Sequence, residues 1–340
     1  MKIIKWTLAV LLLGGLILLA FILIPRSYDV KAFQQRKGTE YWELQTGSKI
    51  GYTKVPASGA KRKSPILYLH GGPGGRISNN IIEAHRPLAA LGHDLYFYDQ
   101  IGSGHSDRLS DIGEYSVTRH RKDLQEIMSA ITDDKVILLG QSWGACLAIN
   151  CLQHNKDKIE KIILTGPGPI LPINQAMRDE LPPDSLELQE PAHSNQQANE
   201  KVYTWRDRLI YRWAHMFQSK LASDKEADNF FTYLSQELSK STNCTAEAPK
   251  EYEGGVGYYS HIMTVKSLNE VEDRRSELQE LDIPILILRG QCDNQKWGFT
   301  KEYLDLFDKA HLEIVQGAGH DIPSSKKQVY LGLIGSFLGE

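Results

Sequence analysis

"KVILLGQSWGACL", residues 135 to 147, decides how this chain is read. Its first half is a short apolar run of the kind that forms a buried parallel strand. The run stops at a serine between two glycines, Gly140-Gln141-Ser142-Trp143-Gly144, and a helix-compatible segment follows. Glycines at these positions allow a tight, strained turn and leave room for backbone to cross. A strand, such a turn and a helix make up the context of a G-x-S-x-G nucleophile elbow, which exposes the serine hydroxyl at the end of a strand. The plainer reading is an ordinary strand-to-helix turn that happens to hold a small residue.

A serine hydroxyl is a poor nucleophile at neutral pH, so it needs a histidine base and an acid to orient that base. Both are expected at the C-terminal ends of strands. "ILILRGQCD" places Asp293 just past one strand end, and "IVQGAGH" places His320 just past the next. Asp282 and His311 lie at the beginnings of their strands, the wrong end of a parallel sheet for a site. Asp321 reads as a neighbour or surface residue, and Gly166 to Pro169 offers no rival carboxylate.

The oxyanion of a tetrahedral intermediate needs two backbone donors. "LHGGPGG", residues 69 to 75, follows a strand and carries almost no side chains. One donor is expected at Gly71 or Gly72, the other at the N–H of Trp143. The stretch lacks the Lys-Ser/Thr of a phosphate loop and the spacing of a dinucleotide fingerprint. His70 reads as a structural, hydrogen-bonded histidine. No metal or organic cofactor is expected.

Working outward, "YWELQTGSKIGYTKV" reads as a hairpin turning at Gly47-Ser48. Apolar runs at 65–70, 94–99, 135–140, 161–166, 283–290 and 311–317 alternate with helical patterns, notably 117–131 and 326–338. That alternation means a doubly wound, mostly parallel α/β sheet. It breaks between Gly168 and about Leu281, too long a stretch for a loop, so 168–281 is expected to be an inserted helical cap between core segments 38–167 and 282–340. The cap aromatics Trp205, Tyr211, Trp213, Phe217, Phe230, Phe231 and Tyr233 recur at helical spacing, which reads as packing against the core, with an apolar pocket as the alternative.

With 340 residues, 41% hydrophobic, 24% charged and a net charge of −3, the chain gives no sign of a nucleic-acid partner. Lys61, Arg62 and Lys63 read as a solvated turn. Residues 1–26 stand apart. Trp6 to Ile24 holds no charge and, as a helix, spans about 28 Å, close to the thickness of a bilayer's hydrocarbon core. No A-x-A cleavage site follows, so an uncleaved anchor in the lipid bilayer through residues 6–24 is expected rather than a removed signal. Positive charges alone favour a cytoplasmic body, but the very short basic tail before the span resembles a signal anchor, which places the body outside. Cys146 and Cys151 fall on different faces of one helix, Cys244 and Cys292 look isolated, and no disulfide framework is expected, which argues against an oxidising compartment. Asn243-Cys244-Thr245 matches the glycosylation pattern by coincidence.

"HGGPGG", "DQIGSGHS" (99–106), "GQSWG", "GQCD" and "GAGH" together resemble the α/β-hydrolase superfamily, and the first three most resemble its proline iminopeptidase branch. The resemblance covers nearly everything from about residue 40 onward except the cap. It implies an α/β-hydrolase fold with Ser142 as nucleophile, Asp293 and His320 as its partners, an oxyanion hole from the HGGPG glycines and Trp143, and release of N-terminal residues from peptides. The chain departs from the branch at Gln141, where a further glycine is usual, and at Ile101, where an arginine is usual. The W-x-x-W-E setting that captures a substrate's amine is absent from the cap. Glu180, Glu187, Glu190 and Glu253 are the candidates to replace it, though each by itself reads as a solvated surface carboxylate. A carboxylesterase or lactonase acting on small acyl esters is the alternative, and a catalytically silent binding protein the alternative from another class.

Overall fold

The computed structural model describes residues 2–58, 62–245 and 252–339. Of the basic run, Lys61 lies outside the described residues, Arg62 is exposed and Lys63 opens a strand. In chain order the strands are β1 (Glu40–Glu43), β2 (Lys49–Val55), β3 (Lys63–Leu69), β4 (His93–Tyr98), β5 (Val136–Gln141), β6 (Ile159–Thr165), β7 (Ile285–Cys292) and β8 (Ala310–Gly319). The helices are α1 (Lys2–Leu23), α2 (Asn79–His85), α3 (Val117–Ile131), α4 (Trp143–Asn155), α5 (Asn195–Val202), α6 (Trp205–Phe217), α7 (Asp224–Leu238), α8 (Tyr258–Lys266), α9 (Arg275–Leu278), α10 (Trp297–Leu306) and α11 (Ile322–Gly339).

The eight strands form one sheet in the order β1-β2-β4-β3-β5-β6-β7-β8. β1 and β2 are the expected antiparallel hairpin, β2 runs antiparallel to β4, and β3 to β8 are mutually parallel. From β3 the chain crosses to one side, to β4, and from β5 to the other, to β6. That reversal opens a crevice at the carboxyl ends of β3 and β5, where ligands of open α/β sheets bind.

The strands read as continuous apolar runs because both faces of the sheet are covered. Alternate residues part to opposite sides. Leu67, Leu138, Ile162, Leu164 and Ile287 pack under α3, α4, α10 and the helices between β6 and β7. Ile66, Ile137, Leu139, Ile163 and Leu288 pack under α2 and α11.

The elbow glycines are needed for contact rather than flexibility alone. A Cβ on Gly144 would stand 2.0 Å from the Leu69 carbonyl oxygen, and one on Gly140 would stand 2.5 Å from the carbonyl oxygen of Gly144. α4 therefore presses directly against the ends of β3 and β5.

α1 is long and apolar enough to cross a membrane, and the described side chains of Ile3–Leu23 are exposed apart from the half-buried Ile22. The cysteine expectation is corrected: Cys244 and Cys292, 48 residues apart, are joined by a disulfide with Cα atoms 5.2 Å apart. Their isolation in sequence hid this, because the fold alone brings the chain after α7 against the end of β7. The argument against an oxidising compartment falls with it. Cys146 and Cys151 are free and buried in α4, with burial pushing both thiols up to about 12.

Gly144→Ala is expected to lose about 1–3 kcal/mol or more of stability, because backbone atoms on both sides cannot yield to the new methyl. Urea unfolding beside a control substitution at exposed Gly38's neighbour Lys37 checks this.

Candidate active site

Ser142 occupies φ 55°, ψ −116°, a conformation that L-residues rarely adopt. Surroundings impose it. The Ser142 N–H donates to the Thr165 carbonyl at 3.0 Å, continuing the β5–β6 ladder, while the next residue already begins α4. As the first residue of that helix, Trp143 has an N–H with no partner inside it, directed to the positive end of the helix dipole.

The glycine-rich loop after β3 lies against the serine. A Cβ on Gly71 would meet Ser142 Cβ at 3.1 Å and Gln141 Oε1 at 2.5 Å, so the side chain that replaces the usual glycine fills the space behind the loop. Gly72 has φ +126°, which only glycine holds without strain. A chain of hydrogen bonds fixes the loop to the helix. Trp143 Nε1–H donates to Gln100 Oε1 at 2.7 Å, Gln100 Nε2–H donates to the His70 carbonyl at 2.9 Å, and the Gln100 N–H donates to His70 Nε2 at 2.9 Å. With Nε2 accepting, His70 carries its proton on Nδ1, which donates to the Gly71 carbonyl at 2.9 Å. Burial lowers its pKa. His70 is thus structural, as its sequence setting suggests.

β7 and β8 are neighbours whose last paired residues are Cys292 and Gly319, so Asp293 and His320 leave the sheet side by side. His320 Nδ1–H donates to Asp293 Oδ1 at 2.8 Å, which also accepts the Gln295 N–H at 2.9 Å. Burial opposes ionisation of both groups. Even so, His320 and Arg289 hold Asp293 below the usual carboxylate range, and the Asp293 carboxylate raises His320 above its ordinary value. The turn after β6 spans the gap to the serine: a Cβ on Gly166 would stand 2.6 Å from His320 Nδ1, and one on Gly168 3.9 Å from the Ser142 carbonyl oxygen. Among the described residues no hydrogen bond joins the Ser142 hydroxyl to His320. Such bonds are often long before substrate binds.

The competing residues stay away. Asp282 pairs with Lys309 and His311 with Glu313 at exposed strand beginnings, while Asp321 faces solvent.

Three supports were not read from the sequence. Buried Arg289 donates from Nη2 to the Gln295 carbonyl at 2.6 Å and from Nη1 to the Thr300 hydroxyl at 2.8 Å, bracing the loop that carries Asp293. Asp99 accepts the Ile77 N–H at 2.6 Å and the His105 N–H at 3.0 Å and pairs with Arg36 at 3.1 Å. Burial opposes its charge, but these partners hold it at about 2. Ile101, where the resemblance expects an arginine, is fully buried. The disulfide is the third support. Beside it, the Thr242 carbonyl oxygen would lie 2.1 Å from a Cβ on Gly319, so the strap it anchors rests on the residue before His320.

Of the four cap glutamates, Glu180, Glu187 and Glu190 are exposed. Glu253 accepts the Gln34 N–H at 2.9 Å and lies 3.6 Å from Arg76. The backbone of Glu187 to Gln189 runs along the end of β7, bonded twice to Gln291, which brings Glu190 to the rim of the Asp293 loop.

The model of the alpha/beta hydrolase fold family matches residues 64–326, and the chain belongs to that family. Proline iminopeptidase of Heyndrickxia coagulans is 25% identical over 296 residues, covering 86% of this chain and 96% of that protein. Proline iminopeptidase of Saccharolobus solfataricus is also 25% identical, over 310 residues, covering 86% and 90%. Among solved structures, an esterase from Exiguobacterium antarcticum superposes with a TM-score of 0.59 at 19% identity, covering 88% of this chain and 99% of its own. Together these make the protein an α/β-hydrolase-fold hydrolase.

The backbone at Ser142 stores on the order of 1–3 kcal/mol of strain. Ser142→Gly, which relaxes it, is expected to be more stable than Ser142→Ala by about 1 kcal/mol once glycine's greater unfolded entropy is allowed for. Paired denaturant titrations of the two variants read the difference.

Proposed function

We propose that the protein is a serine hydrolase in which Ser142 attacks a carbonyl carbon, His320 takes the serine proton and returns it to the leaving group, and Asp293 orients His320. The observation that carries this reading is the buried Asp293–His320 pair at the mouth of the crevice that holds the strained Ser142. The N–H groups of Trp143 and of Gly71 or Gly72 stabilise the oxyanion, and water then hydrolyses the acyl-enzyme. Neither a metal nor an organic cofactor takes part.

The substrate class we favour is a peptide with a free N-terminus, cleaved as by a proline iminopeptidase. Similarity to two such enzymes over 86% of this chain, at 25% identity, supports it. Residues 168–281 act as the cap, and Glu190 is the carboxylate we assign to the substrate's amine. One observation favours a second reading, a carboxylesterase. The buried cap carboxylates are already committed: Glu226 to Arg206, Asp207 to Tyr28 and Thr204, and Glu237 to Lys201 and Lys240, as is the half-buried Asp228 to Arg108.

α1 anchors the chain in a bilayer as a single span, with the body on the extracytoplasmic side. The disulfide supports that side, since such bonds persist in oxidising compartments.

Detergent-solubilised full chain is tested on prolyl and alanyl arylamides with free or acetylated amines, and on short p-nitrophenyl esters. Cleavage of free-amine amides only, with KM raised at least tenfold by Glu190→Gln, is the expected result. Ester cleavage with amides untouched moves the protein to the esterase reading. The acid limb of kcat/KM is expected to have its midpoint above the ordinary histidine value of about 6.5, because His320 must be neutral to act and Asp293 favours its charged form. Asp293→Asn removes that charge, so a pH profile of the residual activity should show the midpoint moving down.

A further inference from the structure

We infer that the outer face of α6 docks on the same bilayer that α1 enters, so that the cap lies in the membrane interface beside the anchor. This rests on the anchor reading of α1. The helical spacing of the cap aromatics predicts burial, and on α7 that is what occurs: Phe230 and Phe231 are in the core. On α6 it fails. Met216 is 72% exposed, Phe217 55%, Trp205 49% and Trp213 36%. Trp205, Arg208, Arg212 and Met216 recur at three- and four-residue steps, and Trp213 stands three residues before Met216, which places them on one side of the helix. The only acidic residue of α6, Asp207, is buried, so the charges it exposes, Arg208 and Arg212, are both positive. Tryptophan and phenylalanine interleaved with arginine on a helix face suit the headgroup boundary, where the rings enter the acyl layer and the guanidinium groups meet lipid phosphates.

The course of the chain after α1 identifies the surface that covers this face. The chain leaving α1 is fastened to the base of α6 itself. The Arg26 N–H donates at 2.9 Å to Glu226 Oε1, which also accepts from Arg206 of α6 at 2.8 Å. Tyr28 donates its hydroxyl proton at 2.8 Å to Asp207, the residue that completes the capping box of α6 with Thr204. The Tyr28 ring packs 5.6 Å from Phe230 and 6.2 Å from Tyr233. Arg26 follows the last residue of α1 by three positions, a span of at most about 10 Å. The membrane surface at the end of the anchor and the first turn of α6 are thus held together by part-buried hydrogen bonds, and the exposed aromatic stripe continues from that corner.

The test uses full chain carrying Trp6→Phe, which removes the anchor's tryptophan, reconstituted in phosphatidylcholine/phosphatidylglycerol vesicles with or without bromine atoms near the top of the acyl chains. Bromine quenches tryptophans that enter the acyl layer. Loss of part of the emission in brominated vesicles, abolished by adding Trp205→Phe and Trp213→Phe, is the result expected. Both positions are exposed, and circular dichroism verifies folding of each variant. A chain that stays with the vesicles through alkaline carbonate yet shows no quenching, or quenching that survives the two added substitutions, overturns the docking of α6 and leaves the anchor standing. A chain stripped off by carbonate overturns the anchor reading, and the docking with it.

Discussion

The backbone at Ser142 takes a conformation it would not choose, and the rest of the site is arranged around keeping it there. Gly140 and Gly144 let α4 cross the ends of β3 and β5 at backbone contact distance. The Thr165 carbonyl fixes the serine N–H, and the helix that starts at the next residue leaves the Trp143 N–H free of any intrahelical partner. Strain of this kind persists only where surrounding structure over-determines it. Here the determining contacts come from the middle of the sheet, its most buried part.

The same sheet explains why residues far apart in the chain converge. Parallel strands deliver all their following loops to one edge. Asp293 and His320 meet because β7 and β8 are neighbours whose last residues, Cys292 and Gly319, pair across a register shift after Gly290, and the loop after β3 meets Ser142 because β3 adjoins β5. This much was legible in the sequence, since each residue stands directly after an apolar run whose length and composition mark a buried strand. β8 extends to Gly319 rather than stopping at residue 317, which carries His320 straight off the strand.

What the sequence hid are relations between segments with no common pattern. Cys244 and Cys292 belong to no spacing rule, and only the packing of the chain after α7 against β7 makes them partners. Gln100 and Arg289 look like ordinary polar residues until their partners, His70 with Trp143 and the Asp293 loop, are seen. Helical spacing cannot say which of two faces a layer covers, so the aromatics of α6 and α7 read alike although one set is buried and the other faces out. Which acids end exposed is equally invisible: Glu180, Glu187 and Glu190 are exposed, whereas Glu253 lies 3.6 Å from Arg76.

The N-terminal helix, the helices between β6 and β7, and the sheet form one mechanical series. The chain after α1 is tied to α6 and α7, the segment after α7 is tied through the disulfide to β7, and β7 carries Asp293. In this series Ser142 is the proposed nucleophile. The direct measurement is mass spectrometry of the full chain after exposure to a fluorophosphonate, with the modified peptide sequenced. One adduct on Ser142, formed far more slowly in His320→Ala, is the expected result. A folded chain that takes no adduct, or takes it on another serine at the same rate with and without His320, would contradict it.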